Sequence, residues 1–447
     1  MSVFAAIVPR MPWRNWSREL HCTPAVVEHP ASEAEVAVAL EAAARAGQTV
    51  RVAGAGHSFS DVVPTDGRLL ALDRMNRVLD VDRDSGLVRV QAGITINALG
   101  AVLAEHGLAQ ENLGDIDVQT IAGAISTATH GTGVRLRNIS AQVEELDLVL
   151  ADGSTLRCGA DDPELLLAAR VAVGSLGVVA AMTLRCVPAF NLRGVDAPCS
   201  LEQTLDEIDD LVDANEHFEF FTFPHSDLAL TRTNNRTDHP AAPPGRVKEY
   251  LSDVLLENRA FDMFCRVGRR FPSRIPAINR LMSRLASGRA RVDRSDRIFA
   301  SLRLVRFTEM EYALPREAAA DAVRRVRAVI DERGFAVPFP IELRFVAAVD
   351  AYLSPAHGRD TAYVAVHMYQ GMEFEPYFRA VESIMDELGG RPHWGKRHFQ
   401  TAETLRPRYP EWDRFQAIRA RLDPDGRFSN AYAERVLGPV GAAVGAG

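Results

Sequence analysis

Apolar positions along this chain change period several times, and the changes mark its elements. Over residues 32–47 they recur at helical spacing. Val36, Leu40 and Ala43 share a face, Ser32 and Glu35 have the offset of a capping box, and Gly47 supplies a stop. A helix of about fifteen residues is expected there. The period then falls to two. Val50 and Val52 alternate with Thr49 and Arg51, and short runs follow at 69–72, 78–81 and 87–90, the last two joined by a turn at 84–86. A second helix is expected at 96–106, with Leu99, Val102 and Leu103 on one side and Gly107 after it. Residues 146–150 and 155–158 around Asp152-Gly153 read as a hairpin. Asp161 or Asp162 caps a further helix with Pro163 in its first turn, and 171–184 reads as glycine-punctuated turns entering a buried strand.

From residue 191 the texture changes. Helical signals at 201–212 lead to an aromatic strand at 217–223, a proline-rich loop at 240–245 and a largely helical stretch to 285. Strands at 302–311, 341–347 and 363–369 then alternate with helices at 316–332 and 376–388. The first part mixes short strands and helices without a regular βαβ repeat. The second predicts one antiparallel sheet with helices on one side and its other face free to cover something. The expected fold class is α+β, with one domain over 15–190 and a second over 191–390.

Composition narrows the class. The chain is 47% hydrophobic and 25% charged, with net charge −8 and pI 5.9, which gives no sign of a nucleic-acid partner. Arginines cluster at 266–274 and 284–297 and are read as solvated helix faces rather than a polyanion site. Cys22, Cys158, Cys186, Cys199 and Cys265 form no CxxC pair and suggest neither a disulfide framework nor a zinc site. The apolar run at 3–8 is too short for a signal-peptide core, no stretch has the length of a membrane span, and 438–447 reads as a frayed tail. A soluble, cytoplasmic protein is the expectation.

Four stretches carry candidate chemistry. Residues 51–61, RVAGAGHSFSD, run from a strand into glycines that let backbone N–H groups crowd around an anion. The GxGxxG fingerprint fails because Phe59 stands at its third glycine and no helix opens after it. Residues 112–133, NLGDIDVQTIAGAISTATHGTG, are small and hydroxylated. They suit close approach to a flat or extended ligand, or equally a tight turn-helix-turn packed on a neighbour. Glu342 and Arg344 share one face of a strand opposite Ile341, Leu343 and Phe345, either as an exposed salt bridge or as a site for a polar ligand. Glu309 and Glu311 share a face in the same way. Lys396, in HWGKRH, is either a partly buried ammonium at an oxyanion or cofactor site or a solvated surface lysine. His393 and His398 do not match the HExxH spacing and have no third ligand nearby in sequence, so a metal is not expected.

These pieces, taken in order, resemble the vanillyl-alcohol-oxidase type of FAD enzymes: AGAGHS after a strand, TDGRLL, VQAGITINAL, a run ending THGTG, then GSLGVV and HWGK. Within that group the chain is similar to the sugar-1,4-lactone branch (gulono-, galactono- and arabinono-lactone oxidoreductases), with alditol oxidases next. The resemblance spans nearly the whole chain. It implies a two-subdomain FAD-binding domain, an α+β cap domain with an antiparallel sheet, and a segment at 391–440 returning to the flavin. Ala53, Gly54, Ala55, Gly56, His57 and Ser58 would wrap the FAD diphosphate, and His57 matches a position that in some relatives is covalently bonded to the flavin. Thr120, Gly123, Ala124, Thr127, Thr129, His130 and Gly131 would line the ring and ribityl chain, with Val178 and Val179 at the other end. Gly114 matches a position that gates oxygen. Glu342 and Arg344 match the family's catalytic Glu-x-Arg pair, and Lys396 its lysine near the flavin. The implied reaction is hydride transfer from a lactone carbinol to flavin N5, with electrons passing to oxygen or a redox protein. Glu342 would accept the proton, Arg344 would orient substrate, and Lys396 would favour the anionic reduced flavin. A polyol-oxidising alditol oxidase, a flavin electron carrier and a non-flavin NAD protein are the alternatives.

Overall fold

The computed structural model describes residues 12–245 and 258–441. The apolar run at 3–8, residues 246–257 of the expected helical stretch and residues 442–447 of the tail lie outside the described residues. Ser32 caps the helix Glu33–Arg45 by accepting from the Glu35 N–H, while Glu35 reaches back to the N–H of Ala31 at 3.0 Å. That helix buries Val36, Ala39, Leu40 and Ala43 and connects two strands, Val26–Glu28 and Val50–Ala53. Both run parallel to Arg68–Ala71, which lies between them. This small parallel sheet is not visible in the sequence, because Val26–Glu28 has only three residues and no alternation. A five-stranded antiparallel sheet follows, in the order Thr155–Cys158, Val143–Val149, Val178–Arg185, Leu87–Gln91, Val78–Asp82. Asp162 caps Pro163–Ala169 as one of the two expected aspartates. One apolar core joins these elements, and Trp394, Phe415, Phe428 and Tyr432 enter it from the end of the chain.

Eight strands form the second sheet, antiparallel throughout: Arg289–Arg294, Asn191–Ser200, Leu228–Thr237, His217–Thr222, Ile341–Val346, Thr361–Tyr369, Phe307–Pro315 and Arg391–Pro392. Ile341, Leu343 and Phe345 point to one face, where they share a core with the helices Ala319–Arg333 and Glu375–Glu387. The opposite face carries the charges. Three expectations need correction. The strand placed at 302–311 is Phe307–Pro315: Leu302 and Leu304 are exposed and Arg303 is held by Asp115, so the chain arrives there as a loop. The helix at 201–212 is two short helices, Leu201–Asp206 and Ile208–Asp213. Part of the arginine run 284–297, read as a helix face, is the edge strand Arg289–Arg294 paired with residues 191–196. All five cysteines are free thiols.

Candidate active site

Strand register sets the charged face. Asp196 lies opposite Arg232, Arg232 opposite Glu219, and Glu219 opposite Arg344, so charge alternates in one row across four neighbouring strands. A second row runs Leu230, Phe221, Glu342, Ala365, Glu311, and Glu309 pairs with His367 beside it. The Arg344 Nε lies 2.5 Å from Glu342 and 2.7 Å from Glu219, with Asp115 of the first sheet's loops 3.6 Å from Nη1. Asp115 also pairs with Arg303 at 2.5 Å. The Glu342–Arg344 pair is therefore buried, not the exposed bridge that the strand alone allowed. Lys396 is likewise no surface lysine: its Nζ lies 2.5 Å from Glu309, which also faces His367 at 3.5 Å.

This crowding drives the titrations apart. Burial, with Asp115 and Glu219 adding repulsion, raises Glu342 to about 7 despite Arg344 beside it. Burial opposes ionisation of Asp115 too, but Arg344 and Arg303 overcome it and hold that carboxyl well below the usual range. Glu309 and Glu311 are also held low against their burial, the first by Lys396 and His367, the second by His130 and Lys396. Burial works against the charge of Lys396 as well, but Glu309 and Glu311 raise its pKa. One carboxylate in this set is poised near neutrality, and it is Glu342.

Two connected cavities meet here. A narrow groove of 110 Å³ is lined by Ala53, Gly54, Ala55, Gly56, His57, Ser58, Thr120, Gly123, Thr127 and Val179. A chamber of 520 Å³ is lined by Gly114, Thr129, His130, Glu342, Arg344 and Lys396, and shares His57, Ser58, Gln119 and Thr127 with the groove. Ala124 and Val178 belong to the apolar core, and Gly131 packs on Leu113 and Asn112; these three predicted residues line neither cavity. Asp115, Glu309, Glu311, Arg303, His367 and His393 line the chamber and were not among the predicted catalytic residues. The shared face of Glu309 and Glu311 and the place of His393 in HWGKRH were their signals in the sequence. A larger cavity, 640 Å³ beside Phe190, Arg236 and Arg294, contains none of the predicted residues.

The groove fits an extended phosphate-bearing cofactor. A Cβ on Gly54 would stand 2.2 Å from Thr120 Oγ1, and Gly56 has φ +71°, so backbone alone fills this wall. Thr129 Oγ1 and Gln119 Oε1 are buried without a hydrogen-bond partner at the cavity walls. The Trp16 N–H donates to Gly56 O at 2.7 Å, and the Phe59 N–H to Gly395 O at 2.7 Å, so the glycine loop is clamped from both ends of the chain. Arg51 braces it from beneath by donating to the carbonyls of Val62, Val173, Gly174 and Phe428. His57 stacks on Trp16 at 5.3 Å, and burial, Lys396 and Arg306 lower its pKa to about 4. His130, Glu311 and His393 gather within 4.8 Å, so His393 does have neighbours, though not His398. Nδ1 of His393 accepts the Gly395 N–H, which assigns the proton of the neutral ring to Nε2.

An FAD-binding oxidoreductase is the class that this fold and site define. The FAD binding domain family model matches residues 24–159. The solved structure of a cholesterol oxidase from Brevibacterium sterolicum has the same fold, with TM-score 0.83 at 19% identity over 95% of this chain and 96% of that one. The chain belongs to the D-arabinono-1,4-lactone oxidase family, whose model matches residues 182–436. It is 51% identical to an L-gulono-1,4-lactone dehydrogenase of Mycobacterium tuberculosis over 96% of this chain and 99% of that protein. It is 35% identical to an L-gulonolactone oxidase of Bos taurus over 95% and 98%. An alditol oxidase of Streptomyces sp. is 31% identical over 95% and 98%. FAD is the cofactor.

Proposed function

We propose that this enzyme oxidises a hydroxyl-bearing carbon of a sugar-derived 1,4-lactone. The observation that carries the reading is Glu342: a carboxyl raised to about 7, 2.5 Å from a fixed guanidinium, in a chamber continuous with the glycine-walled groove. FAD supplies the hydride acceptor when bound, held by the loop at 53–58 with Thr120, Gly123 and Thr127. Glu342 accepts the proton of the substrate hydroxyl, and a base near neutrality suits that step. Arg344, anchored by Glu219 and Asp115, keeps its remaining N–H groups for substrate oxygens and offsets negative charge as it develops. Lys396 adds a further cation at the chamber wall, tempered by Glu309.

Three finer assignments belong to this reading. The half-buried, neutral imidazole of His57 is the site of covalent attachment to the flavin, and yellow colour that follows the acid-precipitated protein in wild type but not in His57→Ala tests this. Gly114 leaves the chamber wall without a side chain and is the gate through which oxygen would reach the flavin, with oxygen or a redox protein accepting the electrons. All five cysteines are free thiols, as suits a reducing compartment, and on that ground we assign the enzyme to the cytoplasm; among the described residues no helix is long and apolar enough to cross a membrane. The test of the whole is anaerobic bleaching of the bound flavin by a panel of 1,4-lactones and alditols. Lactones bleach it fastest if the reading holds, faster bleaching by alditols favours the polyol reading, and no bleaching by either class overturns it.

A further inference from the structure

Ten large apolar side chains stand exposed among the described residues, and seven of them fall between Met263 and Leu304. They are not scattered singly. The helix Phe261–Arg270 shows Met263 and Val267 to solvent, Phe271 stands at the turn that follows it, and Ile275–Leu285 shows Leu281 and Leu285, the last 62% exposed. The second helix is amphipathic the wrong way round for a free-standing globular surface. It turns Ile275, Asn279 and Ser283 inward, where the Asn279 amide donates to the carbonyls of Pro224 and Val337, and leaves Ala277, Leu281 and Leu285 outside at i, i+4, i+8.

Charge completes the pattern. From Arg259 to Arg284 there are seven arginines and one acid, Asp262, which is +6 in a chain of net −8. Asp262 is already engaged by Arg266 and the Tyr369 hydroxyl. Arg270, Arg274, Arg280 and Arg284 flank the exposed apolar stripe. Solvated helix faces, as read from sequence, explain the arginines but not the leucines between them. A basic rim around an apolar stripe, on helices too short to span a bilayer, is the chemistry of a surface that rests on anionic lipid.

We infer that the hairpin of Phe261–Arg270 and Ile275–Leu285 docks this enzyme reversibly on anionic membrane surfaces. Leu285 and Met282 also line the catalytic chamber, so docking sets the chamber mouth against the lipid headgroups. The test is co-sedimentation of the FAD-loaded enzyme with phosphatidylcholine vesicles, with and without phosphatidylglycerol. Wild type is expected to pellet with the anionic vesicles, weakly with the neutral ones, and less as salt rises. The R280E/R284E variant should lose roughly tenfold or more in partition while retaining its turnover of soluble substrate. Leu281→Asp should lose a similar amount, and Phe271→Ser reads the same apolar contribution if that variant does not fold. Equal pelleting with neutral and anionic vesicles, equal pelleting of wild type and R280E/R284E, or binding to duplex RNA without binding to vesicles would each overturn the inference.

Discussion

Glu342→Gln isolates the base. The substitution keeps the shape and a hydrogen-bond acceptor beside Arg344 but removes the proton site whose pKa stands at about 7. General bases contribute about 10²–10⁴-fold, so flavin reduction measured by anaerobic stopped flow at pH 8 should slow by that range. In wild type the rate should rise with pH and level off above about 7, because the carboxyl must be ionised to accept the proton. The variant should show no such limb. Stability gives an independent reading with its own sign. Folding raises this carboxyl from 4.5, so the folded chain holds the proton more tightly than the unfolded one. The stability from this site is complete below pH 4.5 and is lost as pH rises through about 7. The loss is about 3 kcal/mol once the buried carboxylate is fully ionised. Glutamine is neutral at every pH, so the variant should be the more stable protein at pH 8 while being the slower enzyme. A variant that reduces its flavin as fast as wild type with every lactone refutes the assignment, whatever its melting curve does.

Glu309→Gln unmasks Lys396 by removing the carboxylate 2.5 Å from its Nζ; the flavin potential, read by dye equilibration, should rise by about tens of millivolts, and an unmoved potential would mean that Lys396 is remote from the flavin. Gly114→Ala places a Cβ 3.1 Å from His130 O and 3.4 Å from the Thr129 methyl, which narrows the chamber wall. Lactone-driven reduction should be nearly unchanged, while reoxidation by oxygen slows roughly tenfold or more, and equal reoxidation rates would dismiss Gly114 as the gate. Arg51→Met strips the donors from four buried carbonyls under the glycine loop; an unfolding cost of about 4 kcal/mol and weaker FAD retention should appear in urea titrations, and a loss under 1 kcal/mol would assign the bracing elsewhere.

How far the site can be read from sequence depends on how far apart its partners lie along the chain. Glu342 and Arg344 are two apart, and period-two alternation alone puts them on one face. The same rule flagged Glu309 and Glu311. What alternation does not say is which face is covered, so an exposed salt bridge and a buried pair stayed equally open until the helices Ala319–Arg333 and Glu375–Glu387 took the other side of the sheet. Lys396 is harder. Its neighbours in sequence are basic and aromatic, and the acid that defines it sits 87 positions earlier at Glu309. Asp115 and Glu219 carried no local signal at all, since each matters only because strand register or domain contact brings it to Arg344. The parallel sheet failed for a related reason: Val26–Glu28 is a strand because Arg68–Ala71 pairs with it, not because three residues show a period. The loop before Phe307 shows the reverse error. Leu302 and Leu304 alternate with Arg303 well enough to suggest a strand, yet Arg303 is drawn to Asp115 and the leucines are left outside. Short-range pattern thus locates the elements and the Glu-x-Arg face, while the electrostatics that make one carboxyl a base arise from residues more than a hundred positions apart: Asp115, Glu219 and the pair at Glu342 and Arg344.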